Sequence, residues 1–275
     1  MKTIYIRISS IFISICLLPF FAIAQNLTKI QKVSLRIPDN TKIDGTAAEW
    51  DNKFQCYNNA TSLFYTIAND DENLYLIIRA VQPRIILKIL NVGVTFTAKE
   101  NKNAKNNLSI TYPLIGLQDG QSITANLGIK PLDIMPGKRP AVIPIFTSGK
   151  SDSLVNVANK LLEAKAKEIK IQGIEEIPDS LISIYNEQRI KVAVKFDREG
   201  FLTYELIIPL KYFGVSTENF KKFNYSIKLL SRTEVYKKGI RIVYSYASNG
   251  EQYDTNQDLD STTDFSGEYT LAKRP

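Results

Sequence analysis

Two stretches of alternating side chains constrain this chain more than any other feature. In the first, Leu63, Tyr65 and Ile67 alternate with Phe64, Thr66 and Ala68. After Asn69-Asp70-Asp71-Glu72-Asn73 the pattern resumes, with Leu74, Leu76 and Ile78 set against Tyr75, Ile77 and Arg79. In the second, Ile190, Val192, Val194 and Phe196 alternate with Lys191, Ala193 and Lys195. Asp197-Arg198-Glu199-Gly200 then turns the chain, and Phe201 to Ile208 returns to a stop at Pro209. A period of two sends successive side chains to opposite faces of a sheet. The turns consist of residues that tolerate left-handed backbone or bond locally to it. Both stretches predict β-hairpins.

Further strands are predicted at Val33–Ile37, Val92–Ala98, Leu108–Tyr112, Glu168–Ile174, Phe223–Leu229, Arg241–Tyr246 and Tyr269–Leu271, where β-branched and aromatic residues alternate with polar ones. Val81 to Leu90, carrying Pro83, reads as a linker, and Asp254 to Glu268 as a polar loop. Leu114 to Lys150 holds Pro131, Pro136, Pro140 and Pro144 and reads as an irregular insertion, the place where specificity concentrates. One helix is predicted over Asp152–Lys167, where Leu154, Val155, Ala158, Leu161 and Leu162 follow helical spacing. Its expected role is to pack across an open side of the sheets. Many short strands with frequent turns predict an all-β fold, an antiparallel, jelly-roll-like β-sandwich with one accessory amphipathic helix. The economical division is a leader over 1–24 and a single domain over 25–275, with the insertion around 114–150.

The leader is read from Lys2 and Arg7, an apolar run from Ile8 to Phe21, and Ala22-Ile23-Ala24 before Gln25. These are the positive end, hydrophobic core and small-residue cleavage site of a secretory signal. The run is broken by Pro19 and is shorter than the roughly 20 apolar residues that span a bilayer. The expectation is a periplasmic or secreted protein with no transmembrane anchor once the leader is gone. Loss of Lys2 and Arg7 takes the formal charge from +7 to +5. The remaining lysines, among them Lys160, Lys165, Lys170 and Lys221, are spread along the chain rather than concentrated on one element, which argues against a nucleic-acid partner.

With no histidine in the chain, a Ser–His–Asp triad, a Cys–His pair and histidine-ligated zinc or haem are excluded. Cys16 belongs to the leader, so Cys56 has no disulfide partner and reads as a small core residue. Trp50 is the sole tryptophan, and Asp44, Gly45 and Glu49 around it have turn chemistry, which favours a structural role. Glu205 shares a strand face with Thr203 and Ile207; if buried it needs a partner, for which Arg79 and Arg232 are the candidates.

Taken together, Ile43-Asp44-Gly45 with Glu49-Trp50, the turn and strand from Asn69 to Leu76, and Thr203 to Leu210 resemble the family-nine carbohydrate-binding modules and the related DOMON-like sandwiches. The closing run Asp264 to Lys273 looks like the tail of exported Bacteroidota proteins. The resemblance spans most of Thr41 to Ala272 and implies a sandwich that holds a sugar against aromatic rings. Family members often use tryptophans, whereas here Trp50 sits in the scaffold motif, so Tyr57, Tyr65 and Tyr112 become the carbohydrate-binding candidates. In haem-holding DOMON relatives methionine and histidine ligate the iron; Met135 is the only methionine outside the leader and histidine is missing, so that branch does not fit.

One oxygen-rich stretch remains. Asp254, Asn256, Asp258 and Asp260 alternate in the manner of a calcium half-site. An EF-type loop wants Gly and Glu where Leu259 and Phe265 stand, so a solvated turn is the simpler reading and structural calcium the alternative. No other cofactor is expected. Glycoside hydrolysis needs two carboxylates across a cleft, and Asp70, Asp71, Glu72, Glu175 and Glu176 lie in turns. The reading is an exported, non-catalytic binding module whose partner is a glycan; the alternative is an envelope structural or protein-interaction module.

Overall fold

The computed structural model of the chain describes residues 27–99, 107–127, 151–213, 222–236, 245–246, 252–253 and 257–274. The expected leader, Met135 and most of the proline-rich insertion lie outside these residues. In chain order the strands are β1 (Cys56–Asn58), β2 (Leu63–Asn69), β3 (Asn73–Ala80), β4 (Val94–Lys99), β5 (Leu108–Tyr112), β6 (Glu168–Gln172), β7 (Leu181–Ser183), β8 (Lys191–Phe196), β9 (Leu202–Pro209), β10 (Lys222–Leu229), β11 (Ser245–Tyr246), β12 (Gln252–Tyr253) and β13 (Thr263–Thr270). Between them run helices α1 (Pro83–Val92), α2 (Leu117–Asn126), α3 (Ser151–Lys165), α4 (Arg232–Tyr236) and α5 (Gln257–Asp260).

The two predicted hairpins form the heart of one five-stranded antiparallel sheet, ordered β1-β2-β3-β9-β8. A six-stranded antiparallel sheet, ordered β13-β10-β4-β5-β6-β7, faces it. Leu63, Tyr65, Ile67, Leu76, Leu206 and Ile208 of the first sheet meet Phe96, Ile110, Ile171, Tyr225, Ile227 and Phe265 of the second in one continuous core. This is the expected β-sandwich. Its six-stranded sheet turns a polar face outward, with Ser266, Ser226, Thr97 and Ser109 in one cross-strand row.

Helix α3 lies where the periodicity placed it. Val155, Ala158 and Leu162 enter the core, and Asn159 bonds the backbone of Phe196 on β8, so the helix closes one open side of the sandwich. Residues 81–90, read as a linker, instead contain most of α1, whose Ile86, Ile89 and Leu90 are buried. Pro83 starts this helix rather than breaking the chain, because proline lacks only a donor that the first turn leaves unused. Within the region read as an irregular insertion, Leu117–Asn126 is helical. The run 254–268, read as a polar loop, includes α5 and most of β13. Outward Asp264, Ser266 and Glu268 mask the inward Phe265 and Tyr269 in that sequence. Val33–Ile37 forms only an isolated bridge, at Arg36 opposite Asn69. No helix among the described residues is long and apolar enough to cross a membrane.

Candidate ligand-binding cleft

The outer face of the five-stranded sheet is not left to solvent. The segment from Leu35 to Phe54 lies over it and builds a second, smaller core from Ala47, Trp50, Phe54, Ala68, Tyr75 and Ile77. The covering segment is pinned at Glu205, whose Oε2 accepts the N–H groups of Asp44 at 3.0 Å and Gly45 at 2.8 Å. Gly45 has φ +79°, and a Cβ there would lie 2.6 Å from the Cβ of Lys195, so neither the backbone angle nor the space admits a side chain. Residues far apart in the chain, Asp44 and Gly45 on one side and Glu205 on the other, thus meet at one place in the fold.

Glu205 is therefore not held by an arginine. Arg79 reaches Asp197 at 3.1 Å, and Arg232 takes Asp260 at 3.0 Å. Both arginines sit beside nearer carboxylates, and Glu205 faces backbone donors instead. Burial pushes its carboxyl up to about 7, while the bonds from Gly45 and Asp44 pull the other way. Glu205 Oε1 is buried, and the indole N–H of Trp50 adds a weaker pull in the same direction as those two bonds. Trp50, 8% exposed, is a scaffold residue.

The covering segment also forms one wall of an open cleft of about 600 Å³, lined by Leu27, Thr28, Asn52, Lys53, Phe54, Gln55 and Phe64. Its apolar floor is an aromatic cluster. Phe64 lies 4.6 Å from Tyr57 and 6.1 Å from Phe54 between ring centroids. The guanidinium of Arg79 sits 5.5 Å over Phe54 and donates to Asn52 Oδ1 at 3.1 Å, which fixes the aromatic edge relative to the polar rim. Asp51 and Asn52 adopt left-handed backbone, with φ 52° and 54°, a conformation these residue types tolerate. That turn sets Asn52 and Lys53 on the exposed rim. Across the cleft, the backbone of Gln55 is held by Thr66 Oγ1 at 2.9 Å.

Of the tyrosines proposed from the sequence, only Tyr57 reaches this region, half-buried against Phe64. Tyr65 and Tyr112 are in the core and offer no face to a sugar. Tyr65 is fully buried, its hydroxyl paired with Tyr225 at 3.1 Å and bonded by the N–H of Gln31 at 3.0 Å. Tyr112 is 4% exposed and donates to the carbonyl of Ala166 at 3.2 Å. Burial raises both phenols above the ordinary range. Each lies on the inward set of its strand, so the alternation that predicted the strand also predicted the burial. Phe64, Phe54 and Asn52 were missed. The signal was an aromatic in the outward set of β2 with two more aromatics within the ten residues before it.

Of the four residues read as a calcium half-site, Asp260 is the one whose side chain is described. Asp260 is clamped by Arg232, with Nε and Nη2 each 3.0 Å from one carboxylate oxygen. Arg232 neutralises the charge that a cation would use. Asp258 falls within α5, and Asp254 and Asn256 lie outside the described residues. Among the described residues no cluster of acidic or sulfur ligands has metal-binding geometry.

No family model, no curated protein and no solved structure matches the chain.

Proposed function

We propose that this protein is an exported, non-catalytic binding module that takes a carbohydrate in the cleft over Phe64. The observation that carries the reading is the pairing of an aromatic floor, Phe64 with Phe54 and with Tyr57 packed behind Phe64, with amide and hydroxyl side chains of Asn52, Gln55 and Thr28 at the same opening. A sugar offers an apolar C–H face to such rings and hydroxyls to such rims. None of the described residues lining the cleft is acidic, which favours binding over glycoside hydrolysis. The leader read from Lys2 to Ala24 supports a periplasmic or secreted location, where such a ligand is met.

The test is a glycan array probed with the mature protein and with Phe64→Ala, with and without calcium. Binding of the wild type to a polysaccharide, lost in the variant, supports the reading. Absence of wild-type binding to every polysaccharide overturns it. The second reading, an envelope structural or protein-interaction module, is favoured by a different part of the molecule, the free edge of β8.

A further inference from the structure

Strand β8 ends the five-stranded sheet. Its register sets Lys191, Ala193 and Lys195 opposite Ile207, Glu205 and Thr203. In an antiparallel pair the residues that exchange backbone bonds alternate with residues that point theirs away. The side-chain contacts show which set points away. Asn159 of α3 donates to the carbonyl of Phe196 at 3.0 Å and accepts its N–H at 2.8 Å. Asn186 does the same to Ile190, donating at 2.7 Å and accepting at 3.2 Å. A carboxamide carries a donor and an acceptor spaced as in a peptide group, so each asparagine completes the edge as a neighbouring strand would.

Between these two plugs the edge is open. Val192 and Val194 direct N–H and C=O groups away from β9, and no residue among those described bonds them there. Both are only half-buried, so the strand is reachable at this point. On the outer face Lys191 and Lys195 flank the gap, exposed and without an ion-pair partner among the described residues. Asp44 on the covering segment is turned back to the N–H of Thr46 at 3.0 Å and its hydroxyl at 2.7 Å.

We propose that this gap is a docking site for an extended acidic segment of a partner protein, which adds to β8 as a further strand. Main-chain bonds to Val192 and Val194 supply the pairing, and acidic residues four apart stand opposite Lys191 and Lys195. A second copy of this chain is the wrong occupant. Antiparallel self-pairing centred on Ala193 sets Lys191 of each copy against Lys195 of the other, and lysines at an edge oppose that. The same charges select an acidic strand.

The experiment titrates the protein with a blocked Glu-Val-Thr-Val-Glu peptide and with its Lys-Val-Thr-Val-Lys counterpart, reading amide hydrogen exchange residue by residue. The acidic peptide slows exchange at Val192 and Val194 at least tenfold at millimolar concentration, and the basic one does not. In the double variant Lys191→Glu, Lys195→Glu the preference of the two peptides reverses, a readout that requires the variant to be folded and reports its folding in the same spectrum. No slowing by the acidic peptide, or equal slowing by both, overturns the proposal. So does concentration-dependent dimerisation of the free protein that itself protects these two amides. None of these outcomes bears on sugar binding in the cleft.

Discussion

Asn69 and Ala272 are joined through both halves of one side-chain amide: Oδ1 accepts the N–H of Ala272 at 2.7 Å, and Nδ2 donates to its carbonyl at 3.1 Å. Asn69 ends β2 in one sheet, and Ala272 follows β13 in the other. Tyr269 adds its hydroxyl to the same Oδ1 at 3.2 Å. This fully buried amide ties the first hairpin to the end of the chain, beside the more exposed ion pair of Asp71 with Arg274.

Replacing it with alanine leaves several buried donors and acceptors without partners, at about 1–3 kcal/mol each. Asn69→Ala is expected to lower unfolding stability by about 3 kcal/mol, read as a fall in the urea midpoint. Asn69→Asp sets a buried carboxylate against the carbonyls of Asp70 and Ala272 and is expected to cost at least as much as alanine at neutral pH.

Glu205 gives a pH dependence whose sign follows from its environment. Its carboxyl is raised from 4.5 to about 7, so the folded chain holds this proton more tightly than the unfolded one. The resulting stabilisation is full below pH 4.5 and is lost as pH rises through about 7. At 1.36 kcal/mol per unit this amounts to at most about 3 kcal/mol. Glu205→Gln keeps an oxygen for the N–H groups of Asp44 and Gly45 and removes the titration. The difference in stability between wild type and variant, measured by urea unfolding from pH 4 to 8, is expected to move toward the variant across that range. A constant difference would show that Glu205 does not titrate there.

Gly45→Ala tests the covering segment. The substitution meets both a left-handed φ and the Cβ of Lys195 at 2.6 Å. Strain and overpacking together are expected to cost about 2–4 kcal/mol, seen as a lower Tm. Lys195→Gly in the same chain removes the worst contact and recovers only a small part of the loss, because the backbone angle and the close approach of Lys195 N at 3.0 Å and Val194 C at 3.1 Å remain.

In the cleft, Phe64→Ala is expected to weaken polysaccharide binding at least tenfold, and Asn52→Ala by a smaller factor, in affinity electrophoresis or calorimetry. Tyr65→Phe and Tyr112→Phe should leave affinity unchanged while lowering stability by about 1 kcal/mol each, the cost of a buried hydrogen bond. Loss of binding in Tyr65→Phe or Tyr112→Phe would return the site to the core tyrosines.

Arg232 and Asp260 form a buried, two-pronged ion pair, with side-chain exposures of 7% and 13%. Arg232→Met strands the carboxylate and is expected to cost about 3–5 kcal/mol. Because Arg232 already neutralises Asp260, a chelator is expected to leave the Tm of the wild type unchanged. A chelator-induced fall reversed by calcium would show that this region holds the ion.

Legibility from sequence followed the range of the interaction. Leu63 to Arg79 and Ile190 to Ile208 could be read as hairpins, because pleat, alternation and turn chemistry act within a few residues. The same alternation marked Tyr65 and Tyr112 as inward, although their hydroxyls suggested ligands. Residues 81–90 were misread because a proline at a helix start and a proline in a linker look alike until Ile86 and Leu90 are seen to bury. β13 was hidden because its outward Asp264, Ser266 and Glu268 spoke for a loop.

The sequence alone determined the two hairpins, which of their faces is aliphatic, the position of α3 and the absence of histidine chemistry. Only the tertiary structure decided that Glu205 is bound by the backbone of Asp44 and Gly45, that Phe64 floors a cleft, and that Val192 and Val194 are left open between two asparagines. Each of those depends on segments brought together from far apart in the chain, and alternation within one strand carries no information about what settles against its outer face or its edge.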